Sequence, residues 1–324
     1  MRIRLAVLAA LLTWTPAGYM VFGQGLGVSY YVSTTGSDST GDGTSGNPWR
    51  NPQKCVGIVG PGDTCVIRTG TYTDTDTDGI VLYVSSARSA NSGTASQPIT
   101  FMAETLHTVK IQMPAATARN SYGIRVTVPY HRFIGIEITD DDIPSSQGSS
   151  FGSTGFSYGE SGGATGTLLQ RMHIHNIARN VCSDSPIGNS GIGGKPGSGS
   201  TVEFSKIHGI GRKRNGESGC STTLFQNDHG IYVWAVTNYT VHHNLFYDNG
   251  RGYHIQNYAA SQVTNGFYVY NNTFDQPTMA GSAPTACVIL TYTNTDVQFK
   301  NNIFNNCPSG YAFTWFAQIG RAHV

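Results

Sequence analysis

Residues 229–233, HGIYV, and residues 251–255, RGYHI, decide the fold class of this chain, because the second segment matches the first at an offset of 22 residues. Another element recurs at 239–246, 267–274 and 297–304, each time with Asn two residues before a closing Phe. Repeats of this period are typical of solenoids, in which successive turns of the chain stack on one another. The two repeats therefore predict successive coils of one solenoid.

Composition favours strands over helices. The chain has 324 residues, of which 40 are Gly and only 12% are charged. Short runs with alternating apolar residues, such as HRFIGIEI at 131–138, are separated by turns rich in Gly, Asn and Ser. This pattern predicts an all-β chain. The recurrent Asn predicts an internal ladder of side-chain amides that bond the turns of neighbouring coils; its members are Asn244, Asn272 and Asn302.

One block carries a more specific signal. It contains YYVSTTGSDS at 30–39, NPWRNPQ at 47–53 and GPGDTCVIRTGTYTD at 60–74. This block resembles the opening of exported right-handed parallel β-helix proteins of the pectate-lyase-like superfamily, in which a capping segment leads into the first coil. The close match covers about residues 30–74, and the remainder matches only as a general coil pattern. The resemblance implies a right-handed parallel β-helix with an N-terminal cap.

The N-terminus predicts export. Arg2 and Arg4 precede the apolar residues 5–12, and Val-Phe-Gly at 21–23 offers a cleavage site, as in a secretory signal peptide. The apolar run is too short to span a bilayer. We therefore expect residues 1–23 to be a signal peptide and the mature protein to be secreted or periplasmic, without a membrane span.

The C-terminus predicts a foreign tail. Residues 319–324, IGRAHV, coincide with one reading frame of a common sequencing-library adapter. We therefore expect a β-helix domain over residues 24–318 that lacks its C-terminal coils, followed by a non-native tail.

The cysteines predict disulfides. All six follow the signal segment, and no CxxC motif is present, so an exported chain of this kind favours disulfides over a zinc site. Six cysteines allow fifteen connectivities. Proximity in the sequence favours Cys55–Cys65, Cys182–Cys220 and Cys287–Cys307.

Candidate catalytic residues follow from aligning the glycines of the repeated pentapeptides. The strand alternation then places Arg125, Tyr232 and His254 on the outer face, with Tyr232 and His254 one coil apart. The same parity points His229 and Arg251 inward, unless each belongs to the turn before its strand.

This residue set suits a polymer of uronic acids. β-Elimination and C5 epimerisation both begin by removing the C5 proton, and both need a cation or proton donor at the carboxylate. We expect His254 and Tyr232 to transfer protons and Arg251 to hold the carboxylate. His229 and Asp228 would support them.

The expected partner is an acidic polysaccharide, bound by a monomer. The net charge of +1 argues against the broad basic surface of a nucleic-acid binder. Local contacts would come from Arg125, from the basic cluster Arg212, Lys213 and Arg214, and from Trp234 stacking on sugars.

Two other functions remain open. The chain lacks the Asp-Pro-His motif of alginate epimerases and the Gly-His-Gly signature of polygalacturonases. A non-catalytic polysaccharide-binding or adhesion solenoid is one alternative. A glycoside hydrolase is the other, and its carboxylate pair would come from residues 140–142, or from Asp228 with Asp248.

Metal ligands are sparse in the sequence. Asp74, Asp76 and Asp78 resemble the start of a calcium loop, but position twelve is Ser85 instead of Glu. No cofactor is certain, and calcium is possible. His173 and His175 share one face of a strand, but a pair without a third ligand is more typical of solvent-facing residues.

Overall fold

The structure is a computed structural model, which describes residues 27–116, 120–141, 152–221, 227–249, 252–258, 262–275, 286–307, 312–316 and 322–323. Its strands form three parallel sheets, and each full coil crosses sheet I, sheet III and sheet II in that order. Sheet I contains β1 (Ser29–Val32), β2 (Thr64–Ile67), β5 (Ile99–Ala103), β8 (His131–Ile134), β11 (Leu168–Gln170), β14 (Thr201–Glu203), β17 (Thr237–His242), β20 (Thr264–Tyr270), β23 (Asn294–Lys300) and β26 (Ala322–His323).

The other two sheets have eight strands each. Sheet II contains β4 (Ile80–Val84), β7 (Ser121–Val126), β10 (Ser153–Ser157), β13 (Ser190–Gly194), β16 (His229–Trp234), β19 (Ile255–Tyr258), β22 (Val288–Thr291) and β25 (Phe313–Phe316). Sheet III contains β3 (Gly70–Tyr72), β6 (Val109–Gln112), β9 (Glu137–Thr139), β12 (His173–His175), β15 (Lys206–His208), β18 (Leu245–Tyr247), β21 (Thr273–Asp275) and β24 (Ile303–Asn305). The predicted right-handed parallel β-helix is thereby confirmed.

Helix is confined to short pieces. The helix α1 (Gln53–Val56) follows the N-terminal cap, in which the indole of Trp49 stacks on Tyr30 with ring centroids 5.3 Å apart. Two 3₁₀ turns cover Ser86–Arg88 and Glu217–Gly219. Within the described ranges, no helix is long and apolar enough to cross a membrane.

The core is a stack of apolar side chains that repeats from coil to coil. Phe246, Phe274 and Phe304 of sheet III lie with neighbouring ring centroids 4.9 Å apart. Burying one such ring stabilises the fold by about 1.5–3 kcal/mol. Since a single coil cannot enclose its own apolar side chains, stacking of coils holds the solenoid together.

The predicted asparagine ladder is confirmed. The backbone N–H of Asn244 donates to Oδ1 of Asn272, and the backbone N–H of Asn272 donates to Oδ1 of Asn302, each at 3.0 Å. The side-chain amide of Asn272 in turn donates to the carbonyl of Val241. These bonds satisfy buried backbone groups at the turn from sheet I to sheet III. Leaving such groups unpaired would cost free energy.

The three disulfides have the connectivity that sequence proximity favoured. They join Cys55 to Cys65, Cys182 to Cys220 and Cys287 to Cys307. The predicted signal peptide, residues 1–23, lies outside the described residues. Of the predicted tail, only Ala322–His323 are described, and they pair with β23.

Candidate functional site

A groove of about 530 Å³ runs along the outer face of sheet II. Its floor comes from successive strands of the sheet, and its walls come from the turns at both ends of these strands. Aromatic, hydroxyl and amide groups dominate the lining; they include Tyr122, Thr154, Asn189, Ser190, His229, Tyr232, Trp234, Tyr253 and Gln256. Among the described residues that line the groove, Glu160 is the only carboxylate.

A break in strand alternation brings His229 into this groove. In a regular parallel strand, successive N–H groups point to opposite neighbours. Here Gly230 and Ile231 both donate to the same neighbouring segment, at the carbonyls of Tyr253 and His254. His229 therefore lines the same groove as Tyr232, and the expectation that parity would point His229 into the core is wrong.

Its surroundings fix the ionisation of His229. The backbone N–H of Tyr253 donates to Nδ1 at 3.0 Å, so in the neutral ring Nε2 carries the proton. Burial lowers the pKa of His229 to about 4, although the negative charge of Asp228 acts in the opposite direction. At neutral pH, His229 is therefore an uncharged donor at the floor of the groove.

Tyr232 lies directly on this imidazole. The two rings stack with centroids 5.3 Å apart, and Trp234 flanks the phenol at 5.8 Å. Burial raises the pKa of Tyr232, so the phenol keeps its proton at neutral pH. Phenol, indole and imidazole together form an aromatic surface of the kind that stacks on sugar rings.

The glycine alignment predicted that His254 shares the outer column with Tyr232, and this prediction is wrong. Ile231 pairs with Ile255 and Tyr232 with Gln256, so the register between these coils is 24 residues and not 22. His254 is 1% exposed and lies against Phe246 and Phe274 in the core. Burial lowers its pKa to about 3.

A column of glycines explains this inward position. A Cβ on Gly123, Gly155 or Gly191 would collide with a core isoleucine at 3.0 Å or less, and a Cβ on Gly230 would meet the carbonyl of His254 at 2.6 Å. His254 follows Gly230 in this column because Ile231 pairs with Ile255, which sets His254 opposite Gly230. The side chain fills the space beside Asn249, whose amide lies 2.9 Å from Nδ1 of His254.

Asp228, which was expected to support proton transfer, pairs with Arg212. Both side chains are almost fully buried, and Nε and Nη2 of Arg212 donate to the carboxylate at 2.9 and 3.0 Å. Asn189 donates to the same carboxylate through its backbone N–H and its amide. The Arg212 guanidinium lowers the pKa of Asp228 against the effect of burial. This network holds the groove wall, and Arg212 is therefore not a surface ligand for substrate.

Among the described residues, the other predicted cations are not part of the groove lining. Arg125 is held between the rings of Tyr83 and Tyr122, at 5.6 and 4.9 Å. Arg214 pairs with Asp248 at 3.1 Å. Neither Lys213 nor Arg214 is among the groove-lining residues. Arg251, predicted to hold the carboxylate, lies outside the described residues.

The carboxylates that a hydrolase would use as its catalytic pair are bonded to other groups of the protein. Asp140 is buried and accepts the backbone N–H of Ala178 at 2.6 Å, and burial raises the pKa of Asp140 to about 7. Asp142 lies outside the described residues. Asp228 and Asp248 each pair with an arginine. None of these carboxylates is among the described residues that line the groove.

Several groove residues were not among those predicted from the sequence. Tyr122, Thr154 and Ser190 occupy the strand position of His229 in earlier coils. All four directly precede a glycine of the column. A polar or aromatic residue before each repeated glycine is the signal that could have identified them.

No protein-family model and no curated protein sequence matches the chain. Solved structures do resemble it. A mannuronic acid specific polysaccharide family 6 lyase from human gut microbiota has a TM-score of 0.50 and 14% identity over 86% of this chain, which spans 59% of the length of that lyase. Pectate lyase Pel9A has a TM-score of 0.46 and 18% identity, covering 86% of this chain and 78% of its own.

A GH136 lacto-N-biosidase from Eubacterium ramulus has a TM-score of 0.41 and 12% identity, covering 92% of this chain and 68% of its own. At such identities, the likeness concerns the fold alone. With three stacked parallel sheets in register, the chain has a right-handed parallel β-helix fold.

Proposed function

We propose that the groove on sheet II binds an acidic, uronate-containing polysaccharide and that the protein acts on it by β-elimination or C5 epimerisation. The observation that supports this most is the stack of His229 and Tyr232 on the groove floor. It offers a sugar a neutral N–H donor and a phenol side by side. The groove is long enough, over several coils at about 4.8 Å each, for a polymer rather than a single sugar.

Each step has a candidate group. In β-elimination the C5 proton leaves, the C4–O4 bond breaks, a C4–C5 double bond forms and O4 gains a proton. Tyr232, protonated at neutral pH, supplies the proton to O4, and Nε2–H of His229 donates to the uronate carboxylate as charge develops there. Glu160 is the group we assign to accept the C5 proton. In epimerisation, Tyr232 instead returns a proton to the opposite face of C5.

Arg251 remains our proposed cation for the carboxylate. His254 is not assigned to proton transfer, because its side chain lies in the core. Three disulfides support a proposal that the protein is secreted or periplasmic, since such bridges persist in oxidising compartments.

The test uses purified protein with polymannuronate, polyguluronate and pectate, following the ultraviolet absorbance of unsaturated ends. Epimerisation is followed by exchange of the C5 proton with deuterated water. Tyr232→Phe should lower kcat by about 10²–10⁴, and Glu160→Gln should do the same. Tyr247→Phe, on sheet III, is the matched control and should leave kcat unchanged.

Two results would overturn the proposed activity, and a third would overturn the role of Tyr232. Binding to a uronate without product or exchange would favour the adhesion solenoid. New reducing ends without unsaturation would favour a glycoside hydrolase. Full activity of Tyr232→Phe would remove that phenol from the chemistry.

A further inference from the structure

A cluster of histidines lies on the outer face of sheet III, away from the groove. His173 and His175 come from β12, and His208 comes from β15, beside His175 in register. One ring nitrogen from each lies within 4.8 Å of the others. Nε2 of His173 and Nε2 of His208 are 3.0 Å apart. The third ligand that the sequence pair lacked is thus supplied by the next coil.

The nitrogen spacing suits one shared ion. Zinc binds imidazole nitrogen at about 2.0–2.1 Å, which places two ligands of a tetrahedral site about 3.3 Å apart. The rings are also held in place. His208 stacks on Tyr247 with centroids 4.2 Å apart, and His173 and His175 stack at the same distance.

Carboxylates stand at both ring nitrogens of His175. Oε1 of Glu137, on β9, lies 3.1 Å from Nε2, and Oδ2 of Asp141 lies 3.8 Å from Nδ1. When Nδ1 of His175 ligates an ion, Glu137 accepts a hydrogen bond from Nε2–H and orients the ring, as is common around metal-bound histidine. Asp141 is beyond hydrogen-bond distance and adds only its negative charge. A nearby carboxylate oxygen can also serve as a fourth ligand.

The surrounding charges are compatible with a divalent cation. Lys206 pairs in register with His173, but its ammonium lies over the ring of Tyr247, 5.5 Å from the centroid. Glu137 and Asp141 together outweigh this single positive charge. Neighbouring His107 is engaged elsewhere, with Nε2 2.7 Å from the carbonyl of Arg171.

We propose that His173, His175 and His208 bind one divalent transition-metal ion of the zinc class, with Glu137 and Asp141 in support. Three neutral imidazoles with flanking carboxylates form a donor set that suits zinc, copper or nickel rather than calcium or magnesium. The ion would join two adjacent coils, and the carboxylates would extend the connection to a third. Its direct effect is on stability, independently of the groove.

The test is equilibrium dialysis of the full chain, without a polyhistidine tag, against Zn²⁺, followed by metal analysis. The wild type should bind one equivalent more than the double variant His173→Ala/His208→Ala. The matched control is His242→Ala/His243→Ala, which removes two adjacent histidines at the end of β17 and should retain that equivalent. His208→Gln, a milder change, should weaken binding at least tenfold.

Thermal unfolding gives a second readout. A hundredfold excess of Zn²⁺ over the wild-type Kd should raise the Tm of the wild type by about 5 °C. The same zinc concentration should raise the Tm of a folded His208→Gln variant by about half as much or less. Equal zinc content in the wild type and the His173→Ala/His208→Ala variant would overturn the proposal. So would loss of the equivalent from the His242→Ala/His243→Ala control.

Discussion

The imidazole of His229 stacks on the phenol of Tyr232 with ring centroids 5.3 Å apart, although the two residues are separated by an odd number of positions along β16. A regular strand would place them on opposite faces. The break in alternation at Gly230 brings them together. Conformation at one glycine therefore decides the composition of the groove floor.

Gly230→Ala should disturb this stack. The added Cβ would lie 2.6 Å from the carbonyl of His254 and 2.9 Å from the amide of Asn249, so the backbone has to move. We expect a loss of about 1–3 kcal/mol in the free energy of unfolding, measured by urea denaturation. Substrate binding should weaken at the same time, and unchanged binding would show that the bend is not needed for the groove.

His254→Ala should affect stability and not catalysis. Removing a ring packed against Phe246 and Phe274 leaves a cavity in the core, at a cost of about 2–5 kcal/mol by urea denaturation. The folded fraction should keep kcat within about twofold, in contrast to Tyr232→Phe. A large fall in kcat with full stability would return His254 to the mechanism.

Arg212→Ala should destabilise the groove wall. It leaves the carboxylate of Asp228 buried without its cation, which typically costs about 3–5 kcal/mol. The double variant Arg212→Met/Asp228→Leu removes both charges and should recover much of that loss in a thermal unfolding experiment. If Arg212→Ala instead retained full stability but lost substrate affinity, Arg212 would be a direct ligand.

Stability should fall as the pH is lowered from about 6.5 towards 4. His131, His229 and His254 are buried, and their pKa values are lowered to about 4, 4 and 3. In this window the unfolded chain binds protons at these sites that the folded chain does not, so stability rises with pH. Asp140, with its pKa raised to about 7, acts in the opposite direction, but it is one group against three.

This pH dependence is measured as Tm across the window, with His254→Phe as the comparison. The variant removes one of the three histidines, so its Tm should fall less steeply with acid. A Tm independent of pH between 6.5 and 4 would contradict the buried, neutral state of these rings.

Arg88 should oppose calcium binding at the acidic loop that contains Asp74, Asp76 and Asp78. Nη2 of Arg88 lies 2.6 Å from Asp76 and 2.5 Å from Asp78, where an ion would have to bind. Arg88→Ala should therefore bind Ca²⁺ at least tenfold more tightly than the wild type in isothermal titration calorimetry. Tight binding to the wild type, unaffected by Arg88→Ala, would place calcium elsewhere.

Local patterns in the sequence were sufficient for the architecture. The repeated Asn at 244, 272 and 302 predicted the ladder, and the spacing of the cysteines favoured the observed disulfides. These features depend on contacts between neighbouring coils, which a repeat in the sequence reveals directly.

The tertiary structure decided which residues meet. The length of the turn before β19 sets the register that pairs Tyr232 with Gln256 and sends His254 into the core. Only the stacking of β12 on β15 adds His208 to the histidine pair. A repeat in the sequence defines the coil. The offset between coils and the break at Gly230 arise from hydrogen bonds between different strands. Because the repeat does not specify these bonds, the sequence alone could not place the site.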